Sequence, residues 1–194
     1  MNDTFNIRGP AEYEAILRDS KEMNFGMPSD LQTGALLRTL AASKPNGSFL
    51  EIGTGTGLGT AWLLDGMDAH STLISIETNA EYQIIAKRHL GHDARLTLLE
   101  EDGLAFLQRC DVGAFDLIYA DAIPGKYIGF EYSLRCLRRG GILLFDDMLP
   151  QPNWPDDHPP KVEALLQTID ELDPAAFSVV KLCWYTGHII ITKK

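Results

Sequence analysis

The chain of 194 residues has few cysteines and no long apolar run. Cys110, Cys136 and Cys183 are widely spaced and form no Cys-x-x-Cys pair, which excludes a disulfide framework and a zinc knuckle. No stretch reaches the roughly 20 apolar residues that a membrane span needs, and the first residues lack the apolar run of a signal peptide. The sequence therefore predicts a cytoplasmic protein with no membrane partner.

Basic residues are also scarce, with 17 Lys and Arg against 27 Asp and Glu and a formal net charge of −10. A surface this acidic repels phosphate backbones, so nucleic acid is not expected as a partner. A small neutral or cationic ligand is compatible with the charge. The length and the 45% share of hydrophobic residues indicate a globular domain with a substantial core.

From residue 48 onward, short apolar runs alternate with amphipathic segments. This alternation is typical of an α/β fold in which helices cover both faces of a parallel, doubly wound sheet. The predicted parallel strands are Ser48–Ile52, Thr72–Glu77, Arg95–Leu99, Phe115–Ala120 and Gly141–Phe145. The predicted helices are Gly57–Met67, Asn79–Leu90, Gly103–Cys110, Tyr127–Leu137 and Lys161–Leu172.

The last part of the chain departs from this alternation. Two strand-like runs, Phe177–Tyr185 and His188–Thr192, are joined only by a tight turn at Thr186-Gly187. A connection this short cannot form a crossover, so the two strands must be antiparallel. The sequence predicts a mostly parallel, seven-stranded, Rossmann-like sheet that ends in an antiparallel β-hairpin.

Two segments lie outside the sheet pattern. Residues 1–47 contain two predicted helices, Ala11–Lys21 and Leu31–Ala42, and we expect them to form a helical cap or an oligomer contact beside a domain of residues 48–194. The segment Met148–Pro160 has five prolines in thirteen residues, a composition that predicts a loop without helix. A loop of this length in a compact domain is usually functional.

The strongest motif is Glu-Ile-Gly-Thr-Gly-Thr-Gly, at the junction of the first strand and the following helix. Gly53, Gly55 and Gly57 let the backbone approach a ligand closely, and the helix N-terminus offers unpaired N–H groups. A dinucleotide fingerprint needs another glycine at position 58 or 60, where this chain has Leu58 and Thr60. The motif therefore favours a ligand other than a nicotinamide dinucleotide.

Carboxylates stand at or just after the end of every parallel strand after the first, and the first strand carries one before its glycines. They are Glu51, Glu77, Asp102, Asp121, Asp146 and Asp147. Because the carboxyl ends of parallel strands meet at one edge of a sheet, we expect strong repulsion among these groups unless a cation is present. The cation is either a sulfonium or ammonium group of a ligand, or a metal ion.

These features resemble a known family. Glu51-Ile-Gly-Thr-Gly-Thr-Gly, Glu77, Asp102 and the terminal hairpin are similar to class I S-adenosylmethionine-dependent methyltransferases. Phe115-Asp-Leu-Ile-Tyr-Ala-Asp-Ala and Gly140-Gly-Ile-Leu-Leu-Phe-Asp-Asp-Met-Leu resemble the small O-methyltransferases that include the caffeoyl-CoA and catechol enzymes. The resemblance runs from about residue 32 to the last residue, and it implies a Rossmann-like methyltransferase fold, a small-molecule acceptor and a homodimer.

The resemblance also implies S-adenosyl-L-methionine as cofactor. Its methionine part would be lined by the glycine loop, Gly53, Thr54, Gly55 and Gly57. Glu51 would lie near the cofactor's amino group and Glu77 would hold the ribose hydroxyls. Asp102 and Gly103 would lie against the adenine, and Asp121 would contact the amino group and face the acceptor.

A metal site is implied as well. In family members that use a divalent metal, the acid after the fourth strand and an Asp-Asn pair after the fifth bind Mg²⁺ or a similar ion. Asp121, Asp146 and Asp147 occupy those positions here, with an aspartate in place of the asparagine, and three carboxylates suit a hard cation. The alternative is that Asp146 caps the loop and Asp147 is solvated.

The acceptor side departs from the family pattern. The related enzymes carry a lysine in an Asp-Lys pair directly after the Asp-Ala of the fourth strand, and that lysine assists acceptor deprotonation. In this chain the spacing is two residues longer and ends at Lys126. Lys126 is a candidate base, and the alternative is an ordinary solvated lysine. Trp154 and His158 are candidates for the wall of the acceptor pocket; the alternative is that Trp154 only pins the proline-rich loop to the domain.

The predicted function is S-adenosylmethionine-dependent O-methylation of a small hydroxylated acceptor, assisted by a divalent metal. Asp121 and Lys126 are the predicted catalytic residues. Two alternatives stay open from the sequence: a metal-independent small-molecule methyltransferase, with a nitrogen acceptor not excluded, and a non-catalytic module that binds S-adenosylmethionine.

Overall fold

The computed structural model describes residues 6–194, so the first five residues of the predicted helical region lie outside the described residues. Helices and strands alternate along the chain. The helices are α1 Tyr13–Glu22, α2 Leu31–Ala42, α3 Leu58–Gly66, α4 Ala80–Leu90, α5 Gly103–Arg109, α6 Phe130–Cys136 and α7 His158–Asp170. The strands are β1 Ser48–Ile52, β2 Thr72–Glu77, β3 Leu96–Glu100, β4 Phe115–Ala120, β5 Leu137–Phe145, β6 Phe177–Leu182 and β7 His188–Lys193.

The strands form one seven-stranded sheet in the order β3-β2-β1-β4-β5-β7-β6. The pairs β1–β2, β2–β3 and β4–β5 are parallel, whereas β7 is antiparallel to both β5 and β6. The predicted fold, a mostly parallel α/β sheet that ends in an antiparallel hairpin, is confirmed. No helix within residues 6–194 is both long and apolar enough to cross a bilayer.

The chain divides into two compact units, one that ends at Gly103 and one that runs from Leu104 to Lys194. The first unit contains β1, β2 and β3 with the helices α1 to α4. The second contains β4 to β7 with α6 and α7. The predicted division into a helical region of residues 1–47 and a domain of residues 48–194 stays a prediction.

The core of the first unit follows from its apolar strands. In β1, Phe49, Leu50 and Ile52 are all buried, because a parallel strand covered by helices on both faces must be apolar throughout. Strand β3 begins at Leu96, one residue later than predicted. Arg95 instead pairs with the carboxylate of Asp93, at 2.6 Å between its Nη2 and Oδ2.

Helix α3 is almost completely buried, and α2 packs closely against it. The contact depends on Gly34 of α2, which lies directly against the ring of Trp62. A methyl group at position 34 would come within 2.2 Å of Trp62 Cε2 and Nε1. Gly34 therefore sets the separation of the two helices.

Three details of the second unit differ from the sequence prediction. Strand β5 begins at Leu137 rather than Gly141, with an irregularity in register where it passes Phe115–Leu117 of β4. Helix α6 begins at Phe130 rather than Tyr127, after Gly129 in the left-handed conformation at φ 76°. Strand β6 ends at Leu182, before Tyr185, so the hairpin connection is longer than a tight turn.

The expectation that no helix forms within residues 148–160 is wrong for the last three residues of that segment. Helix α7 begins at His158 and includes Pro159 and Pro160 in its first turn. Proline is tolerated there because the first N–H groups of a helix have no partner within the helix. The preceding residues of the segment, 148–157, form the predicted loop.

We expect Gly34→Ala to lower the free energy of unfolding by about 1–3 kcal/mol, as overpacking of a core contact does. Urea denaturation of the purified variant measures this. Gly26→Ala is the matched control, since a methyl group at that exposed position meets nothing within 4 Å. Equal stability of the two variants would contradict the close contact between α2 and α3.

Candidate functional site

The glycine loop follows β1, and its backbone has a conformation that glycine favours. Gly53, Gly55 and Gly57 have φ angles of 102°, 51° and 99°. The N–H groups of Gly53 and Thr54 both donate to the carbonyl oxygen of Ile76 in β2, at 2.9 and 3.0 Å. The loop is thus anchored to the neighbouring strand, and α3 begins directly after it at Leu58.

Glu77, the last residue of β2, braces this loop. Its Oε2 accepts a hydrogen bond of 2.9 Å from the N–H of Gly55, and its Oε1 accepts one of 2.9 Å from the N–H of Asn79. Hydrogen bonds to a carboxylate are stronger than those between neutral groups. The structure therefore brings together two predicted cofactor-binding residues, Gly55 and Glu77.

Sequence reasoning missed that the segment after α1 belongs to this loop. The ring of Phe25 lies over Gly55, where an added methyl group would approach Phe25 Cζ to 2.9 Å. Phe25 also packs edge-to-face on Tyr82, with ring centroids 4.9 Å apart. Ser20 Oγ donates to Thr56 Oγ1 across 2.8 Å. The available signal was the single aromatic residue of the segment between the two predicted helices.

Glu51 lies inside the unit, with no exposed surface. Its Oε2 accepts hydrogen bonds of 2.5 Å from the hydroxyls of Thr60 and Ser75, and its Oε1 has no hydrogen-bond partner among the described residues. Burial raises the pKa of Glu51 to about 7, against the lowering effect of the two hydroxyls; the charge of Glu77 adds to the rise. Glu51 thus connects β1, α3 and β2 from within.

The other predicted cofactor residues of the first unit follow β3. Asp102 lies two residues after the end of the strand at Glu100, and Gly103 is the first residue of α5. This is the position at the carboxyl end of a parallel strand that the sequence predicted. Their contact with an adenine ring stays a prediction.

In the second unit, Lys126 is not a solvated lysine. It is only 3% exposed, and its Nζ donates a hydrogen bond to the backbone carbonyl oxygen of Asp146. Burial lowers the pKa of Lys126, while the negative charges of Asp121, Asp147 and Asp146 raise it. Nζ also lies 4.9 Å from the centroid of the Tyr127 ring.

Asp146 is held at the end of β5 by several donors. Its Oδ1 accepts hydrogen bonds from the N–H of Asp147, at 2.6 Å, and from the hydroxyl of Thr186. His188 Nε2 lies 3.2 Å from the same oxygen, and both side chains are buried. The alternative that Asp146 caps the loop agrees with these contacts.

Asp147 anchors the proline-rich loop. Trp154 Nε1 lies 2.8 Å from both carboxylate oxygens of Asp147, and the Trp154 ring stacks on His158 with centroids 4.3 Å apart. The hydroxyl of Tyr127 lies 3.0 Å from His158 Nε2. Burial lowers the pKa of His158, although the charge of Asp147 opposes this. Trp154 pins the loop, as one of the two sequence alternatives predicted.

The metal site of Asp121, Asp146 and Asp147 stays a prediction. Within residues 6–194, no three or more His, Cys, Asp or Glu side chains are grouped so that they could hold an ion. Two of these carboxylates already have hydrogen-bond donors: Trp154 Nε1 lies 2.8 Å from both oxygens of Asp147, and the hydroxyl of Thr186 donates to Oδ1 of Asp146.

A groove of about 390 Å³ opens in the second unit, between the segment after β4 and helix α7. Its walls are mainly apolar, with Ile123, Ile128 and Leu165, and the polar groups of Lys126 and Tyr127 also line it. Pockets of this size, with apolar walls and few polar groups, are typical of small-molecule sites.

Comparison with known proteins agrees with this geometry. A family model described as "Methyltransferase domain" matches residues 50–148. The chain belongs to this family. The match runs from within β1 to just beyond β5 and therefore includes both the glycine loop and the Lys126 region of this methyltransferase domain.

Among curated proteins, this methyltransferase domain is 33% identical over 116 residues to a protein of Mycolicibacterium vanbaalenii named as an O-methyltransferase. The aligned part is 57% of this chain and 51% of that relative, so the chain spans about half the length of the curated relatives it matches.

Solved structures share the fold. An O-methyltransferase from Bacillus cereus in complex with SAH superposes with a TM-score of 0.82 at 22% identity, covering 98% of this chain and 94% of that one. The O-methyltransferase TomG from Streptomyces achromogenes in complex with SAM gives a TM-score of 0.84 at 18% identity, covering 99% and 93%. At these identities the likeness establishes the fold.

The raised pKa of Glu51 predicts a pH-dependent stability. Below its unfolded-state pKa of 4.5 the buried group is neutral in both states, and stability is lost as the pH rises through about 7. Glu51→Gln removes this titration. Between about pH 5 and about pH 8, the variant should therefore gain about 2.5 kcal/mol relative to the native chain.

Urea denaturation of the ligand-free protein at the two pH values measures this gain. Glu100→Gln, at the exposed end of β3, is the control and should follow the native pH dependence. If the difference in the free energy of unfolding between Glu51→Gln and the native chain is the same at both pH values, Glu51 does not titrate in this range.

Proposed function

We propose that this protein transfers a methyl group from S-adenosylmethionine to an oxygen of a small hydroxylated acceptor. The observation that carries the proposal is the glycine loop between β1 and α3, braced by Glu77 through the N–H of Gly55. Membership of the methyltransferase-domain family supports it. Further support comes from relatives named as O-methyltransferases and from structural neighbours that hold SAM or SAH.

The residues of the first unit suit S-adenosylmethionine. Gly53 and Gly55 present backbone without side chains, so the methionine part of a ligand can approach the loop closely. The Glu77 carboxylate has about four lone-pair sites, so it can keep Gly55 and Asn79 as donors and still accept from ribose hydroxyls. When bound, the cofactor supplies an activated methyl group on a positively charged sulfur.

The residues of the second unit suit an acceptor with an apolar body and a hydroxyl group. We assign this acceptor to the groove lined by Ile123, Ile128 and Leu165. Lys126 Nζ stabilises negative charge on the acceptor oxygen, and the Asp121 carboxylate takes its proton. Methyl transfer is an in-line displacement at carbon, so alignment is the main demand on the protein.

The divalent metal implied by the resemblance takes no part in this proposal, because no group of three or more His, Cys, Asp or Glu side chains that could hold an ion is found among residues 6–194. The contact of Asp121 with the cofactor's amino group, the homodimer and the cytoplasmic location stay predictions. So does the role of residues 1–47 as a cap, to which the contact of Phe25 with the glycine loop lends support.

Glu77→Ala should weaken binding of S-adenosylhomocysteine by about 1.5–3 kcal/mol, as expected for lost hydrogen bonds to a charged group. Titration calorimetry on the purified protein measures this. Glu81→Ala, an exposed carboxylate in the first turn of α4, is the control and should bind as the native chain does. No heat from the native chain with either S-adenosylmethionine or S-adenosylhomocysteine would disprove the proposed cofactor.

Asp121→Asn should abolish turnover while the variant still binds S-adenosylhomocysteine, because the amide cannot accept the acceptor's proton. The measurement is formation of S-adenosylhomocysteine with catechol or caffeoyl-CoA as acceptor. Asp111→Asn, on the exposed surface after α5, is the control and should retain full activity. A fully active Asp121→Asn would remove this residue from the mechanism.

The non-catalytic alternative gives a different outcome in the same assay. A module that only binds the cofactor would show heat with S-adenosylhomocysteine but no product with any hydroxylated acceptor. The set of Asp121, Lys126, Asp146 and Asp147, two of which are buried, disfavours this alternative, since cofactor binding alone does not call for it.

A further inference from the structure

Lys126 is a lysine in an unusual place. Its side chain is buried, although a lysine ammonium is rarely buried without partners that offset the loss of hydration. It reaches this position from the short turn before α6, where Tyr127 and Ile128 both donate their N–H groups to the carbonyl oxygen of Ile123. Its Nζ ends at the backbone carbonyl of Asp146.

The charges around Lys126 are negative. The carboxylates of Asp121, Asp147 and Asp146 all act on its ammonium. These residues come from the carboxyl ends of two paired parallel strands, β4 and β5. Without a positive charge, three carboxylates in one region would repel each other strongly. The ammonium of Lys126 supplies such a charge.

Two of the carboxylates also have hydrogen-bond donors in place. Both oxygens of Asp147 lie 2.8 Å from Trp154 Nε1, and Oδ1 of Asp146 accepts from Thr186. Mg²⁺ needs oxygen ligands at about 2.0–2.1 Å in near-octahedral geometry. A divalent ion bound through Asp147 would compete with Trp154, the anchor of the proline-rich loop, and a charged Lys126 would repel it.

We propose that the Lys126 ammonium is the resident cation of this site, and that it stands in place of the divalent metal implied by the resemblance. Lys126 is a compact point charge that donates hydrogen bonds, so it can hold the carboxylates apart without an ion. This inference rests on the proposed function only where it concerns the role of Lys126 in catalysis. The cation content of the site is a property that can be measured without turnover.

The test measures binding of Mn²⁺ to the ligand-free protein. The electron paramagnetic resonance signal of the free ion reports how much Mn²⁺ stays unbound. The native chain should bind Mn²⁺ no more tightly than millimolar. Lys126→Met removes the competing charge and leaves three carboxylates, so Mn²⁺ affinity should rise at least about tenfold. Lys161→Met is the matched control, because Lys161 lines the same groove but pairs with the exposed Asp157.

If Lys126→Met does not fold, the native chain still decides the question. Micromolar Mn²⁺ binding by the native chain that is lost in Asp147→Asn would overturn the inference, as would native-like weak binding by a folded Lys126→Met. Methylation that survives exhaustive treatment with EDTA supports it. Titration with S-adenosylhomocysteine on the same samples separates the two proposals. If the native chain binds this ligand and also binds Mn²⁺ tightly, only the proposal that Lys126 is the resident cation is refuted.

Discussion

Negative charge at the carboxyl ends of parallel strands is the constraint on which both units depend. A buried carboxylate is costly unless it is neutralised, paired or hydrogen-bonded. The chain uses all three solutions. Burial favours the protonated form of Glu51. Glu77 accepts hydrogen bonds from backbone N–H groups. Asp146 and Asp147 interact electrostatically with Lys126.

Each solution also fixes part of the backbone. The hydrogen bonds of Glu77 hold the glycine loop in its conformation, and those of Glu51 join β1 to β2 and α3. In the second unit, Trp154 uses Asp147 to anchor the proline-rich loop. The charged groups of the proposed site are therefore also structural, so substitutions there need a binding measurement beside an activity measurement.

The chain belongs to the methyltransferase-domain family, but the spacing before Lys126 differs from the family pattern. A lysine two residues later than in the family pattern can enter the protein interior, because the turn at residues 123–128 carries it toward the end of β5. In our proposal, this internal cation takes the place of a metal beside the carboxylates. One change of spacing thus alters which cation the site accepts.

The sequence by itself determined the sheet, its hairpin and the glycine loop, because apolar runs, short connections and glycine positions are local properties of the chain. It did not show that Phe25 lies over Gly55, that Lys126 is buried, or that Pro159 and Pro160 lie inside α7. Those facts depend on contacts between residues distant along the chain and on which side chains lose their water. Only tertiary packing decides these, because burial and charge pairing are properties of the folded surroundings.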